Sequence, residues 1–556
     1  MRKVLATGVV AFLGTAIPAI GQETEREAIV VVLDGASLPD LLADPALRSL
    51  AARGGAALMS GRTDLRDAFA DTIFPPRTVG RFPFRYADIG TASPSDAVSV
   101  VTEDLAGLAG PALVLVISTS PSAASAADGD ELGTVIAASG DPTELLAAKG
   151  APRSLTSDST RRAGVVADVD PAATVAEWLD LPYDAGASME PTGEPAPLDL
   201  YERYLQQRRL AVPAAAAAWG MMALFGVAGV LALAFRQRIS RRTLAVVEAL
   251  AGSLPWLALG LLLVGHLPSL IVATVVPFLF GVIVVGVAFT RWVAARRGVF
   301  VAVAACGAAI LMVLGIEAAF GWPAAVTPLA GGGQLDGGRF FGMPNIEIGI
   351  VLGSALFVAQ HVRVGVGAMV LVTCALVAGS PWTGSNFGAA ITLFAAAGLW
   401  LGIRLRRPWW IVALITGAIT AIGMATIAVM HRYLTDRPTH VTAFLEETDG
   451  IVGAVERQFE RLRVGLDLII ENPLALIPVV GTLVLLVVLL RPPTAIARSF
   501  EGHGAWRDAV LVIVLGSIVA YLAEDTGAAA VGFAFGFALS GLIEVSLASA
   551  RGMMTR

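Results

Sequence analysis

Ionisable and amide side chains set into apolar sequence mark the places where this chain could do chemistry. The stretch 330–349, AGGGQLDGGRFFGMPNIEIG, puts Arg339, Asn345 and Glu347 after a run of glycines, at the mouth of an apolar segment beginning near 346. Glycines let a ligand approach the backbone closely, and free amides at a helix start suit an anion. The stretch therefore reads either as a re-entrant, backbone-exposing loop or as a flexible external loop with Asn345 as an N-cap. Three more clusters carry similar ingredients: TGSNFG (383–388) with Asn386, DRPTH (436–440) with Asp436, Arg437 and His440, and EDTG (524–527) with Glu524 and Asp525. Paired carboxylates can do acid–base work, but Glu524 and Asp525 are adjacent, and spacing alone defines no active site. Glu248, His266 and His361 fall near the ends of apolar segments, where solvation is cheap, whereas Glu317 and Glu544 lie about one turn further in. Ionisable groups inside a bilayer are costly, so each is a functional candidate by default.

The elements that must position these residues follow from composition. The chain is 56% hydrophobic and 15% charged, with a mean hydropathy of +0.73, against about a quarter charged in soluble domains. The excess sits in 211–556. At roughly 20 apolar residues per crossing, the expected spans are 213–235, 245–265, 268–290, 298–320, 346–360, 364–380, 386–402, 409–430, 473–490, 508–523 and 528–549, an all-α bundle of about eleven helices. Arginines crowd the connections 236–244, 291–297, 361–363, 403–408 and 491–507 and the C-terminus, while the alternate short connections hold only Arg339. The positive-inside rule then puts the C-terminus in the cytoplasm and the four polar clusters outside. The long connection 431–472 is the exception in charge. Within it, segment 439–471 spaces Phe444, Ile451, Val455, Phe459, Leu462, Leu466 and Ile469 mostly by three and four, as in an amphipathic helix lying on the outer membrane face.

Residues 1–21 open with Met1-Arg2-Lys3 and an apolar run from Val4 to Ile20, the pattern of an export signal, cleaved near Gln22 or kept as an anchor. Residues 22–210 then form an exported domain. Apolar runs 28–33, 112–117 and 133–138, with helical stretches around 45–53, 142–149 and 171–180, imply an α/β domain with a largely parallel sheet covered on both faces. Ligands of such sheets sit at the carboxyl ends of strands, where Asp34 and Ser118 fall. The net charge of −6 is mild, so no nucleic-acid partner is expected. The expected partners are the lipid bilayer and an anionic or lipid-linked envelope substrate. No cofactor is implied.

VVVLDGASLPDLLADPALRSLAARGG (30–55) resembles the opening of alkaline-phosphatase-superfamily domains, and LTSDSTRRAGVVADVDPAATVAEWLDLP (155–182) is similar to their late segment. The resemblance places Asp34 on a metal-ligand position. The rest of the two-metal cage does not carry over, because 22–210 holds no histidine, and nothing selects Thr72 or Thr78 as a nucleophile. The domain therefore reads as degenerate and non-hydrolytic, with Asp34 a vestigial metal position or a strand-end turn cap. GGRFFGMPN, THVTAF and EDTG in turn resemble the GGRFYGxGN, THLGRF and NDSG motifs of a family of bacterial polytopic membrane proteins with a degenerate phosphatase-like exported domain. Pro344 and Glu524 depart from that family's pattern. Three functions are implied: a plasma-membrane protein that binds, translocates or presents an anionic or lipid-linked substrate; a membrane phospho- or glycosyl-transferase; and a non-catalytic scaffold or sensor.

Overall fold

A computed structural model describes residues 26–60, 84–108, 110–120, 126, 132–160, 162–167, 170–180, 187–235, 238–329, 334–335, 341–435, 463, 469–470, 473–493, 496–497, 500–501, 503–524 and 527–550. The expected signal segment 1–21 and nearly all of the amphipathic segment 439–471 lie outside these residues, as do Thr72 and Thr78. The chain divides into two compact units, Met1–Arg209 with Gln334–Phe341, and Leu210–Gly333 with Gly342–Arg556.

The first unit is an α/β sheet unit. Its strands are β1 (Glu27–Leu33), β2 (Gly55–Ser60), β3 (Phe84–Gly90), β4 (Ala112–Ser118), β5 (Gly133–Gly140), β6 (Arg153–Ser157), β7 (Val165–Ala167) and β8 (Met189–Pro195). They order as β3-β1-β4-β5-β2-β6-β8, with β7 paired to β2. β1 runs parallel to both neighbours, with Val30 opposite Tyr86 on one side and Leu115 on the other. Residues of β1 and β4 are buried on both faces, which is why these runs are continuously apolar rather than alternating.

Helices α1 (Leu38–Ala43), α2 (Pro45–Arg53), α3 (Pro94–Ala106), α4 (Pro142–Leu145) and α5 (Asp170–Trp178) accompany the sheet. Three of them begin with the same two-residue device. Asp44, Ser93 and Asp141 accept a hydrogen bond from amides of the first turn, and proline follows each at the position whose N–H has no partner to lose.

The expectation of a largely parallel sheet is corrected at β5 and β8. β5 is antiparallel to both β4 and β2, and β8 is antiparallel to β6. A parallel neighbour needs a crossover, usually a helix. β5 instead enters beside β4 in the reverse direction, with Leu115 opposite Ala137.

The second unit is helical. α6 (Leu198–Ala234) leads into it, followed by α7 (Arg241–Gly252), α8 (Leu254–Leu263), α9 (Val272–Arg297), α10 (Val299–Ala319), α11 (Glu347–Ala359), α12 (Val364–Gly379), α13 (Phe387–Arg404), α14 (Trp409–Tyr433), α15 (Leu476–Leu490), α16 (Gly504–Ala523) and α17 (Gly527–Ala550). The expected count of about eleven crossings is corrected. Among the described residues, nine helical segments are long and apolar enough to cross a membrane. α11 and α12 are apolar but have only 13 and 16 residues. At 1.5 Å per residue they reach about 20 and 24 Å, short of a hydrocarbon core of about 30 Å. Glycine and proline in 341–346 delay the first, and Ser380-Pro381 ends the second.

Burial separates the bundle's inside from its outside. α17 is almost wholly buried and packs on α7, α10, α11, α15 and α16. α9 and α14 instead show Phe280, Val285, Trp292, Trp409, Leu414 and Ile422 outward. Apolar faces of that extent are untenable in water and natural against lipid.

Candidate functional site

Described residues from three of the four polar sequence clusters meet at one end of the helical unit, where three helices begin. Asn386 caps α13: its Oδ1 accepts the Ala389 amide at 2.8 Å. Its Nδ2 donates to the Met343 carbonyl at 2.9 Å and to Asn345 Oδ1 at 3.2 Å, tying the start of α13 to the loop that opens α11. The same two loops join through the backbone, where the Met343 amide donates to Gly384 O at 2.8 Å. A Cβ on Gly342 would lie 1.9 Å from that carbonyl oxygen, and the residue holds φ +95°, so only glycine fits.

Two further glycines bring in α17. A Cβ on Gly349 would fall 2.2 Å from Ala530 O, so the first turns of α11 and α17 touch backbone to backbone. A Cβ on Gly388 would fall 2.0 Å from Glu524 Oε1, which lays the buried Glu524 carboxylate against the first turn of α13. The positive ends of the α11, α13 and α17 dipoles therefore converge. Strain collects here as well: Trp322 (φ 61°) and Ser385 (φ 45°) are left-handed without being glycine. The Trp322 indole N–H donates to Thr383 O at 2.6 Å, fixing the end of α10 to this loop.

Glu347, the first residue of α11, is 0% exposed, and neither carboxylate oxygen has a hydrogen-bond partner from another residue. Glu317, near the end of α10, lies within electrostatic range of it. Glu317 has partners of its own: Oε2 accepts the Ala324 amide at 3.1 Å and Oε1 meets His266 Nε2 at 2.5 Å. The His266 side chain is 46% exposed and that of Glu317 is 6%. A helix N-terminus favours a carboxylate by about 0.3–1 kcal/mol, rising to about 2 kcal/mol when partly buried. Taking an unpaired ion out of water costs several kcal/mol. Desolvation wins, so an uncompensated charge on Glu347 is not sustainable in this arrangement.

At the opposite end of α17, Glu544 sits against Gly252, and Arg291 donates through Nη1 to Glu248, which is buried. Gly527 and Glu544 are separated by about 25 Å along the helix. Each of the paired groups has its counter-charge nearby, which distinguishes them from Glu347.

In the first unit, Asp34 closes the carboxyl edge of β1, β3 and β4. Its amide donates to Gly90 O at 2.7 Å, and the Thr119 hydroxyl donates to its Oδ1. Gly35 follows at φ +80°. Among the described residues no three His, Cys, Asp or Glu side chains gather as a metal-ligand group.

The structure therefore brings together Asn345, Glu347, Asn386 and Glu524. Arg339, Asp436, Arg437, His440 and Asp525 lie outside the described residues. The sequence reading did not foresee the His266–Glu317 pair, the Met343 carbonyl as a partner, or the converging helix starts. Glu317 and His266 were visible as ionisable residues near span ends, but their pairing across 51 positions has no sequence signal. No protein-family profile, curated protein or solved structure matches the chain. Fold and site alone define its class, a multi-pass membrane protein with an N-terminal α/β sheet unit.

Proposed function

We propose that this chain is a plasma-membrane protein of the bacterial cell envelope that binds, translocates or presents an anionic or lipid-linked substrate. The observation that carries the reading is the convergence of three helix starts around Asn345 and Asn386, tied by backbone contacts that only glycine permits. Converging positive dipole ends favour an anionic group. Irregular backbone at membrane depth is tolerated only where it is buried in protein or lines a cavity, and short broken helices of this kind form substrate sites in transporters. Arg339, three residues before Gly342 in sequence, is the nearest sequence cation and the residue on which the reading is tested.

In this reading the site faces outward and the C-terminus is cytoplasmic, as the arginine distribution requires. The α/β unit is a phosphatase-like domain without catalysis, retained to recognise phosphorylated groups. The motif resemblance to bacterial polytopic membrane proteins of that build supports the assignment. Arg339→Ala should change the cellular pools of lipid-linked envelope intermediates while the protein still inserts normally. Unchanged pools, measured by mass spectrometry of extracted lipids, would remove the reading's main support.

A further inference from the structure

We infer that Glu347 is an internal proton-binding site, reached from the bundle surface through His266 and Glu317. The inference does not rest on the substrate reading. It rests on a carboxyl group that is fully enclosed, has no hydrogen-bond partner from another residue on either oxygen, and lies within electrostatic range of a second carboxylate. Such a group is held without net charge only if something neutralises it.

The groups around Glu347 come from every element packed on α11. α10 supplies Glu317, and the turn after α8 supplies His266. The connection between α16 and α17 supplies Glu524, whose carboxylate is placed against Gly388. α12 contributes Cys374 and Ser380, α13 its cap Asn386, α16 contributes Tyr521 and α17 no titratable group at this end among the described residues. His431 of α14, whose Nε2 lies 2.8 Å from Gly379 O, packs against α12. No described cation therefore approaches Glu347, whereas a route for protons does. His266 is half exposed, contacts Glu317 at 2.5 Å, and Glu317 is nearly buried. Glu317 is within electrostatic range of Glu347 but not hydrogen-bonded to it, so transfer requires the Glu347 side chain to turn toward Glu317. Once solvent exchange has left the neutral ring proton of the half-exposed imidazole on Nδ1, a proton handed to Glu317 passes from Oε1 to the bare Nε2. The imidazolium then releases its Nδ1 proton to solvent, and the reverse sequence reloads Glu347. At rest Glu347 keeps the proton and Glu317 stays paired with His266 and the Ala324 amide.

The test uses full-length protein in detergent and compares wild type with Glu347→Gln, a neutral isostere that keeps the buried shape. Melting temperature is followed from pH 5 to pH 9, and at fixed pH in sodium against choline chloride. A proton site predicts that wild type loses several degrees as pH rises and that Glu347→Gln abolishes the loss, with no response to sodium in either protein. His266→Ala, which leaves Glu347 enclosed but cuts the route, should keep the wild-type pH profile of the melting temperature. It should also slow the exchange of the Glu347 carboxyl proton for deuterium, followed by the infrared carboxyl stretch after transfer to heavy water at pH 7. Identical pH profiles for wild type and Glu347→Gln overturn the inference. A sodium-dependent rise in wild type that Glu347→Gln removes also overturns it, in favour of a metal-cation site. An unchanged exchange rate in His266→Ala overturns the route.

Discussion

Asp170 in the α/β unit is a buried carboxylate of the opposite kind to Glu347. Its Oδ2 accepts the Ser157 hydroxyl at 2.5 Å and the Ala167 amide at 2.7 Å, and its Oδ1 accepts the Ala187 amide at 3.1 Å. Burial pushes its carboxyl above the usual range, against the opposing pull of the Ser157 bond and the two amides. The folded state therefore favours the protonated form more than the unfolded chain does. Its contribution is full below the unfolded value of about 3.8 and is lost as pH rises through the higher folded value. Asp170→Asn should lower stability near neutral pH by about 1–3 kcal/mol, because a carboxamide cannot accept on both sides. It should also flatten the pH dependence of the sheet unit's unfolding above pH 4. Circular dichroism melts across pH would reveal this, and an unchanged slope would count against the assignment. The quoted segment VADVDPAAT contains Asp170, but sequence reading did not single it out. Its partners Ser157 and Ala187 lie 13 and 17 positions away in strand ends whose pairing no local pattern encodes.

Among elements, the apolar runs and the helical stretches near 45–53, 142–149 and 171–180 were legible because each is local. The helix at Pro94–Ala106 was not read, although Asp44-Pro45, Ser93-Pro94 and Asp141-Pro142 mark helix starts by chemistry that needs no distant partner. Strand direction was not legible. An apolar run such as 133–138 reads the same whichever way it enters the sheet, so its antiparallel pairing with β4 has no signal within the run. Helix placement in the bundle was likewise hidden, since Gly349 meets Ala530 from 181 positions away. Asn386 is intermediate: its place before an apolar run marks a cap, yet its second bond to Met343 O has no local signature. Gly349→Val is expected to separate α11 from α17 and destabilise the helical unit by about 1–3 kcal/mol, because the atoms it meets are backbone and cannot swing aside. Gly315→Ala, with nothing within 4 Å of its Cβ, should be neutral. Size-exclusion profiles after graded heating in detergent would separate the two. Equal survival would mean the α11–α17 contact is looser than described.

At the scale of the whole molecule, the two short helices differ in what surrounds them. α11 is enclosed by its neighbours, whereas α12 shows Val366 and Met369 outward. An outward helix of 16 residues packed against crossings of 18 and 25 residues gives the bundle an uneven waist, so acyl chains beside α12 must compress while those beside the 26-residue α9 need not. The lipid itself then becomes a ligand of the fold, selected by chain length rather than headgroup. Reconstituted into phosphatidylcholine of graded acyl length, the protein should melt at its highest temperature in bilayers thinner than the average. A maximum in the thickest lipids would show that α12 does not face the bilayer at all.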